Sequence, residues 1–226
     1  MDDRALDLFL GAAVTQYDRL TPDAPLPCFA LLLGRTGPGT VHIEDIAFGR
    51  NARTRDPAAR REFTEAILPR FGPAYENETR GWWFDSRDLL AISRQADDDG
   101  LELLGSIHMH PDWHRIGPPQ ERGAVLSERP TPMDEYLFSG TAWPVNLICY
   151  LERRNGVLYH ALGAWAPLPE HDRNSRNSRN SRNSRNSRNS RNSRNTPNGP
   201  EPSCPQLPLL VGAGGPRIPC GTEATV

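Results

Sequence analysis

Lysine is absent. All 26 fixed cations of the 226-residue chain are arginine, as expected of a GC-rich coding sequence, and no side-chain amine is offered to a ubiquitin-like modifier. Long apolar runs are missing as well. No stretch approaches the roughly 20 residues that a membrane helix needs, and the Met1-Asp2-Asp3 opening is acidic where a targeting segment is basic. Cysteine is scarce. Cys28 and Cys149 fall in apolar runs, Cys204 and Cys220 lie near the carboxyl end, and their spacing fits neither a disulfide framework nor a zinc finger. These absences point to a soluble, cytoplasmic protein with no membrane partner.

The chain also lacks an even spread of charge. Residues 1–172 hold 17 Arg and 26 acidic residues, a net of −9; residues 173–226 hold 9 Arg and 2 acidic residues, a net of +7. Residues 173–193 are seven Arg-Asn-Ser triplets, followed by Arg194-Asn195-Thr196. With no apolar side chain to bury, such a segment is expected to stay disordered. The expected organisation is one domain over 1–170 and a disordered low-complexity tail over 171–226. The acidic body argues against nucleic acid as its substrate, while the Arg-rich tail allows weak phosphate contact.

Within the domain, apolar residues at helical spacing predict a first helix over 4–20. Cys28 to Gly34 reads as a buried strand, Thr36 to Gly39 as a turn and Val41 to Phe48 as the returning strand. Pro57 to Ile67 suits a short helix, Trp82-Trp83-Phe84 an aromatic strand, and Ser86 to Ala96 a helix capped by Asp85 or Ser86. Val145 to Leu151 and Val157 to Trp165 are strands joined across Asn155-Gly156, a hairpin turn. Together these elements predict an α/β domain with a mixed sheet flanked by helices.

The chemistry gathers between Leu101 and Asp134. Leu101 to Pro111 reads as a buried strand that ends in two histidines, and alternation puts His108 and His110 on one face with Met109 on the other. Downstream, Thr131-Pro132-Met133-Asp134 has the form of a helix start: Thr131 as N-cap, Pro132 at the first position, Asp134 in the first turn. Two imidazoles and a carboxylate would hold a tetrahedral Zn²⁺ with one position open to water, as in catalytic rather than structural sites. The intervening segment, Asp112 to Pro130, must loop beside the site, and within it Trp113 is a candidate roof and His114 a candidate extra ligand.

This order resembles that of the JAMM metallopeptidases of the JAB/MPN domain family, whose signature is an upstream Glu, then His-x-His-Pro, then Ser/Thr-x-x-Asp. The resemblance covers roughly Arg4 to Pro167, including the strand Phe29 to Gly34. It implies a JAB/MPN-like, cytidine-deaminase-like fold, zinc at His108, His110 and Asp134, and Thr131 supporting an oxyanion. It also implies hydrolysis of an amide or isopeptide bond in a protein or peptide, at the carboxyl terminus of a ubiquitin-like or sulfur-carrier protein. The chain departs from the signature twice. Asp112 to Pro130 is longer than the family's spacer, and Pro27 stands where the family has its catalytic Glu. Asp23, Glu44 and Glu102 are the candidates for a replacement general base; Glu102 has the same strand parity as His108. A binding module that keeps zinc or only the fold is the alternative to the enzyme, and a zinc phosphoesterase is a weaker third reading.

Overall fold

A computed structural model of the chain describes residues 1–112, 129–169, 203–212 and 224–225. Strands β1 (Phe29–Gly37) and β2 (Thr40–Phe48) form the expected hairpin, turning at Pro38-Gly39, where Gly39 takes a φ of 71°. Strand β3 (Glu102–His110) pairs with β1, and β4 (Val145–Arg154) and β5 (Val157–Trp165) form a second hairpin through Asn155-Gly156, both at positive φ. With β6 (Gln206–Leu207), the sheet order is β2-β1-β3-β4-β5-β6, and β7 (Ala224–Thr225) also pairs β5. Among the described strands only the β3–β4 pairing is parallel, so the sheet is mixed, as the sequence predicts.

One face of the sheet is covered by α1 (Asp3–Tyr17), capped by the Asp2 carboxylate, which accepts from the Arg4 N–H. Ala5, Phe9, Ala13 and Tyr17 recur every four residues and pack on Ala30, Leu32, Ile107, Leu147 and Cys149. The opposite face carries the histidines. Around it lie α2 (Pro57–Glu62), a π-helical turn (Phe63–Ile67), α3 (Leu68–Phe71), α4 (Ser86–Asp98, capped by Asp85) and α5 (Pro132–Thr141). The π turn ends two residues before Pro69, which has no N–H for an ordinary helical bond and whose ring crowds the carbonyl four residues back.

Two bulges lie at one level of the sheet. Glu44 is the extra residue in β2 between the Leu33 and Gly34 pairings, and Leu104 is the extra residue in β3 between the Leu32 and Leu33 pairings. Glycine is required there: a Cβ on Gly34 would fall 1.9 Å from the His42 carbonyl oxygen, and one on Gly105 would fall 1.6 Å from that of Val145. The second bulge corrects an expectation. Leu104 packs with Ile107 under α1 while Leu103 packs with Phe29 and Trp82 on the other face, so alternation reverses and Glu102 does not share the parity of His108.

Two other expectations change. Trp82-Trp83-Phe84 is not a strand; Phe84 makes a single bridge to Asn51, whose side chain accepts from the Trp83 N–H, and Gly81 at φ 81° and the Asp85 cap bracket the segment. Nor is the whole of 171–226 separate from the domain. The repeat lies outside the described residues, but Cys204 is buried among Phe138, Ile148, Tyr150, Trp165 and Leu168, and Leu207 and Leu209 pack on the main core. The Met1 ammonium donates to the Leu210 carbonyl at 2.7 Å, and the Cys204 N–H donates to Glu135 Oε1 at 3.3 Å. Cys204, Leu207 and Leu209 follow no periodicity in a stretch interrupted by Pro205 and Pro208, which is why composition alone misplaces them.

Truncation after Asp172 is therefore expected to destabilise the domain. Loss of side chains that each contribute about 1.5–3 kcal/mol when fully buried should lower Tm by at least about 5 °C, since 1 kcal/mol moves a domain of this size by about 2–4 °C. Excision of residues 173–196 alone should leave Tm within 2 °C or so of the full chain, because the Ala166 N–H donates to the Pro205 carbonyl at 2.9 Å and the two ends already meet. Equal Tm values for the truncated and full-length chains would show that 203–212 contributes nothing.

Candidate metal centre

The sequence brings three ligating groups to one point by local rules. His108 and His110 project from the end of β3 onto the same face, and Asp134 stands in the first turn of α5. His108 Nε2 lies 3.0 Å from His110 Nε2 and 3.1 Å from Asp134 Oδ1, and His110 Nε2 lies 3.3 Å from Asp134 Oδ2. All three donor atoms fall within 4.8 Å of one another. Metal–ligand bonds of about 2.0–2.2 Å place tetrahedral ligands about 3.3–3.6 Å apart, so the group needs only a few tenths of an ångström of expansion to hold a metal ion.

Asp134 is fixed before any ion arrives. Its Oδ2 accepts from the Thr131 N–H at 2.6 Å and from the Thr131 hydroxyl at 2.7 Å, while Thr131 Oγ1 accepts from the Asp134 N–H at 3.2 Å. This capping box is the kind of outer support that would orient the carboxylate toward a metal ion. The Thr131 hydroxyl proton is thus already engaged, and Thr131 here positions Asp134. His108 is less well supported: its Nδ1 is buried with no hydrogen-bond partner among the described residues.

Aromatic rings enclose the imidazoles. The His108 ring centroid is 5.8 Å from Trp82 and 6.0 Å from Phe138, and His110 meets Tyr150 edge-on at 5.5 Å. Burial pushes the His108 pKa below the ordinary histidine value, outweighing the raising effect of Asp134. Burial alone would raise Asp134, but the charge of His110 and hydrogen bonds from both imidazoles hold it well below the ordinary carboxylate value. A neutral imidazole beside an ionised carboxylate is the protonation state in which these groups ligate a metal.

The histidines open into a cleft lined also by Leu26, Pro27, Tyr75, Arg80, Trp82 and Leu137. The Met109 N–H donates to the Cys28 carbonyl at 2.9 Å and Phe29 pairs with His108, so Pro27 comes opposite His110. Among the described residues lining this cleft, Asp134 is the sole carboxylate. The three candidate bases are elsewhere. Glu44 binds Arg35 at 2.5 and 2.7 Å and Glu102 accepts from Thr36 at 3.1 Å, both beside Gly34 at the far end of β1. That end is about 17 Å from Phe29 at the extended rise. Asp23 has an exposed side chain outside the cleft lining, and its carbonyl receives the Asn77 amide at 3.0 Å. Trp113 and His114 lie outside the described residues.

A buried lock beside the site escapes sequence reading. Asp112, two residues after His110, is 4% exposed; its Oδ2 accepts from the Tyr17 hydroxyl at 2.7 Å and its Oδ1 from the Arg153 N–H at 3.2 Å. It ties the end of β3 to α1 and β4. Only a polar residue after His-x-His-Pro marks it in sequence, because its partners are 95 and 41 positions away.

No protein-family model matches the chain, and no curated protein matches it.

Tyr17→Phe is expected to cost about 1–3 kcal/mol, since it strips a buried carboxylate of one partner, and to lower the denaturation midpoint at an unchanged m value. Arg153→Ala keeps the main-chain donor and should cost clearly less; equal losses would mean that Asp112 is not the anchor. The pH dependence follows from His108. Its folded pKa lies below the unfolded value of 6.5, so the unfolded chain binds the extra proton and the metal-free domain should lose stability as pH falls below 6.5. The Asp134 contribution is lost only below the ordinary 3.8. Denaturation midpoints between pH 7.5 and 5 should fall more steeply for the wild type than for His108→Gln.

Proposed function

We propose that the domain is a zinc-dependent amide hydrolase of the JAMM kind, with a JAB/MPN-like fold, that works without the family's carboxylate base. The observation that carries this reading is the convergence of His108 Nε2, His110 Nε2 and an Asp134 carboxylate oxygen at tetrahedral spacing in an aromatic-walled cleft. The element order also supports it: a hairpin, a helix, the histidine strand, a helix opening on Thr-x-x-Asp, and a second hairpin. Imidazole, imidazole and carboxylate suit zinc, which when bound would acidify a water and polarise a carbonyl.

The chain's own groups do the rest. His108 presents a neutral nitrogen, His110 adds a second imidazole, Asp134 brings one negative charge, and Thr131 holds that carboxylate in register. Trp82, Phe138 and Tyr150 keep bulk water from the imidazoles and strengthen every charge interaction among them. For Thr131 to meet an oxyanion its hydroxyl must turn away from Asp134. A protein or peptide, ubiquitin-like proteins included, is the substrate class that the family resemblance suggests.

A second reading, a zinc-retaining binding module, is favoured by one specific observation: Pro27 stands opposite His110, and no other carboxylate lines the described part of the cleft. A positioned base contributes about 10²–10⁴-fold, so its loss leaves hydrolysis slow. Purified protein should hold one zinc per chain, and Asp134→Ala should lose it. Hydrolysis of peptide and modifier-fusion amides should be slow, chelator-sensitive and raised at least about tenfold by Pro27→Glu. Full zinc in Asp134→Ala would refute the site. Equimolar zinc with no hydrolysis by wild type or Pro27→Glu would leave the binding module.

A further inference from the structure

Residues 203–212 lie behind the aromatic walls of the metal centre. Cys204 is buried in one cluster with Phe138, Ile148, Tyr150 and Trp165. Two of these rings enclose the imidazoles: Phe138 stands 6.0 Å from the His108 ring centroid, and Tyr150 stands 5.5 Å from that of His110. The Cys204 N–H also donates at 3.3 Å to Glu135 Oε1, on the residue that follows Asp134 in α5. The rest of the segment is held elsewhere. β6 pairs with Ala164 and Trp165 of β5, Leu207 and Leu209 pack on the core under α1, and the Gly212 N–H donates to the Met1 carbonyl at 3.0 Å. This docking is shallow: Cys204 is buried, but Pro205, Gln206 and Pro208 are exposed and Leu210 is 49% exposed. Few buried apolar contacts mark an element of low local stability. Because β6 ends the strand order, the segment can leave without breaking any other strand pairing in that order.

We propose that residues 203–212 form a detachable strap that regulates the metal centre: docked, they brace the ligand set, and undocked, they lower its affinity for metal. This deepens the metal-hydrolase reading and rests on it. The coupling runs through contacts already described. Withdrawing Cys204 leaves a cavity behind Phe138 and Tyr150 that their neighbours fill only in part. Both rings lose their backing, and water that reaches the imidazoles weakens the charge interactions drawing them to Asp134. The first turn of α5 loses the Cys204 donor at Glu135 in the same event. The coupling is reciprocal, because an ion that binds the braced ligand set more tightly must favour the docked strap by the same factor. Metal occupancy and strap docking therefore report on each other.

The test uses full-length protein, with zinc alone as the probe. Leu207→Ala combined with Leu209→Ala loosens the strap at side chains that pack under α1, on the sheet face opposite the histidines. In competition with a fluorescent chelator, this variant should bind zinc at least about tenfold more weakly than the wild type, the scale on which loss of outer support acts on a metal site. Phe9→Leu weakens the same core from α1 instead, and should lower Tm while leaving the zinc Kd unchanged. In the wild type, saturating zinc should slow iodoacetamide alkylation of Cys204, followed by peptide mass, by the factor that separates the two Kd values when undocking is complete. An equal zinc Kd in the wild type and the double variant would overturn the proposal. So would an equal loss in Phe9→Leu, or Cys204 alkylation indifferent to zinc. Failure of the metal reading is distinct: a wild-type chain that binds no zinc overturns both, whereas tight zinc binding that ignores the strap overturns this proposal alone.

Discussion

A carboxylate buried to 6% exposure is the constraint around which the histidine face is arranged. An ionised group taken out of water must be met by donors or positive charge, or it neutralises. Asp134 is met from two sides: Thr131 supplies a main-chain and a hydroxyl donor, and the imidazoles close on its two oxygens. The start of α5 and the end of β3 are therefore not independent. Each completes the other's hydrogen bonding, and the interval between them can vary in length without disturbing the meeting point.

What was legible in the sequence is what local rules govern. Strand alternation places His108 with His110, and N-cap chemistry places Thr131 with Asp134; both depend on neighbours within four residues. Glu102 shows where that logic stops. The extra residue at Leu104 reverses the strand's parity, and it stands next to Gly105, whose main chain lies close against Val145, 40 positions away in the chain. Asp112 and Tyr17, Arg53 and the 75–77 carbonyls, and Cys204 beneath Trp165 are contacts of the same long-range kind. Each involves residues whose local setting is a plain loop or a plain helix end.

The cleft combines a prepared ligand set with a wall that cannot take a proton. Pro25 and Pro27 fix the main chain leading into β1, and an X-Pro segment holds an extended course at little entropic cost. Where a carboxylate would bring a second negative charge close to Asp134, proline brings none. The described lining thus carries one negative charge fewer than a two-carboxylate centre would.

The junction at Ala166 and Pro205 bears on the history of the chain. Because both ends of the interval that contains the Arg-Asn-Ser triplets are stitched to the same sheet edge, the triplets form an insertion in a closed connection. For a flexible connection the entropy of closure grows only with the logarithm of length, about 0.6 kcal/mol for each doubling. Replication slippage can therefore lengthen or shorten the repeat by whole triplets, in frame, with almost no consequence for folding. Selection on folding alone would scarcely register the number of copies.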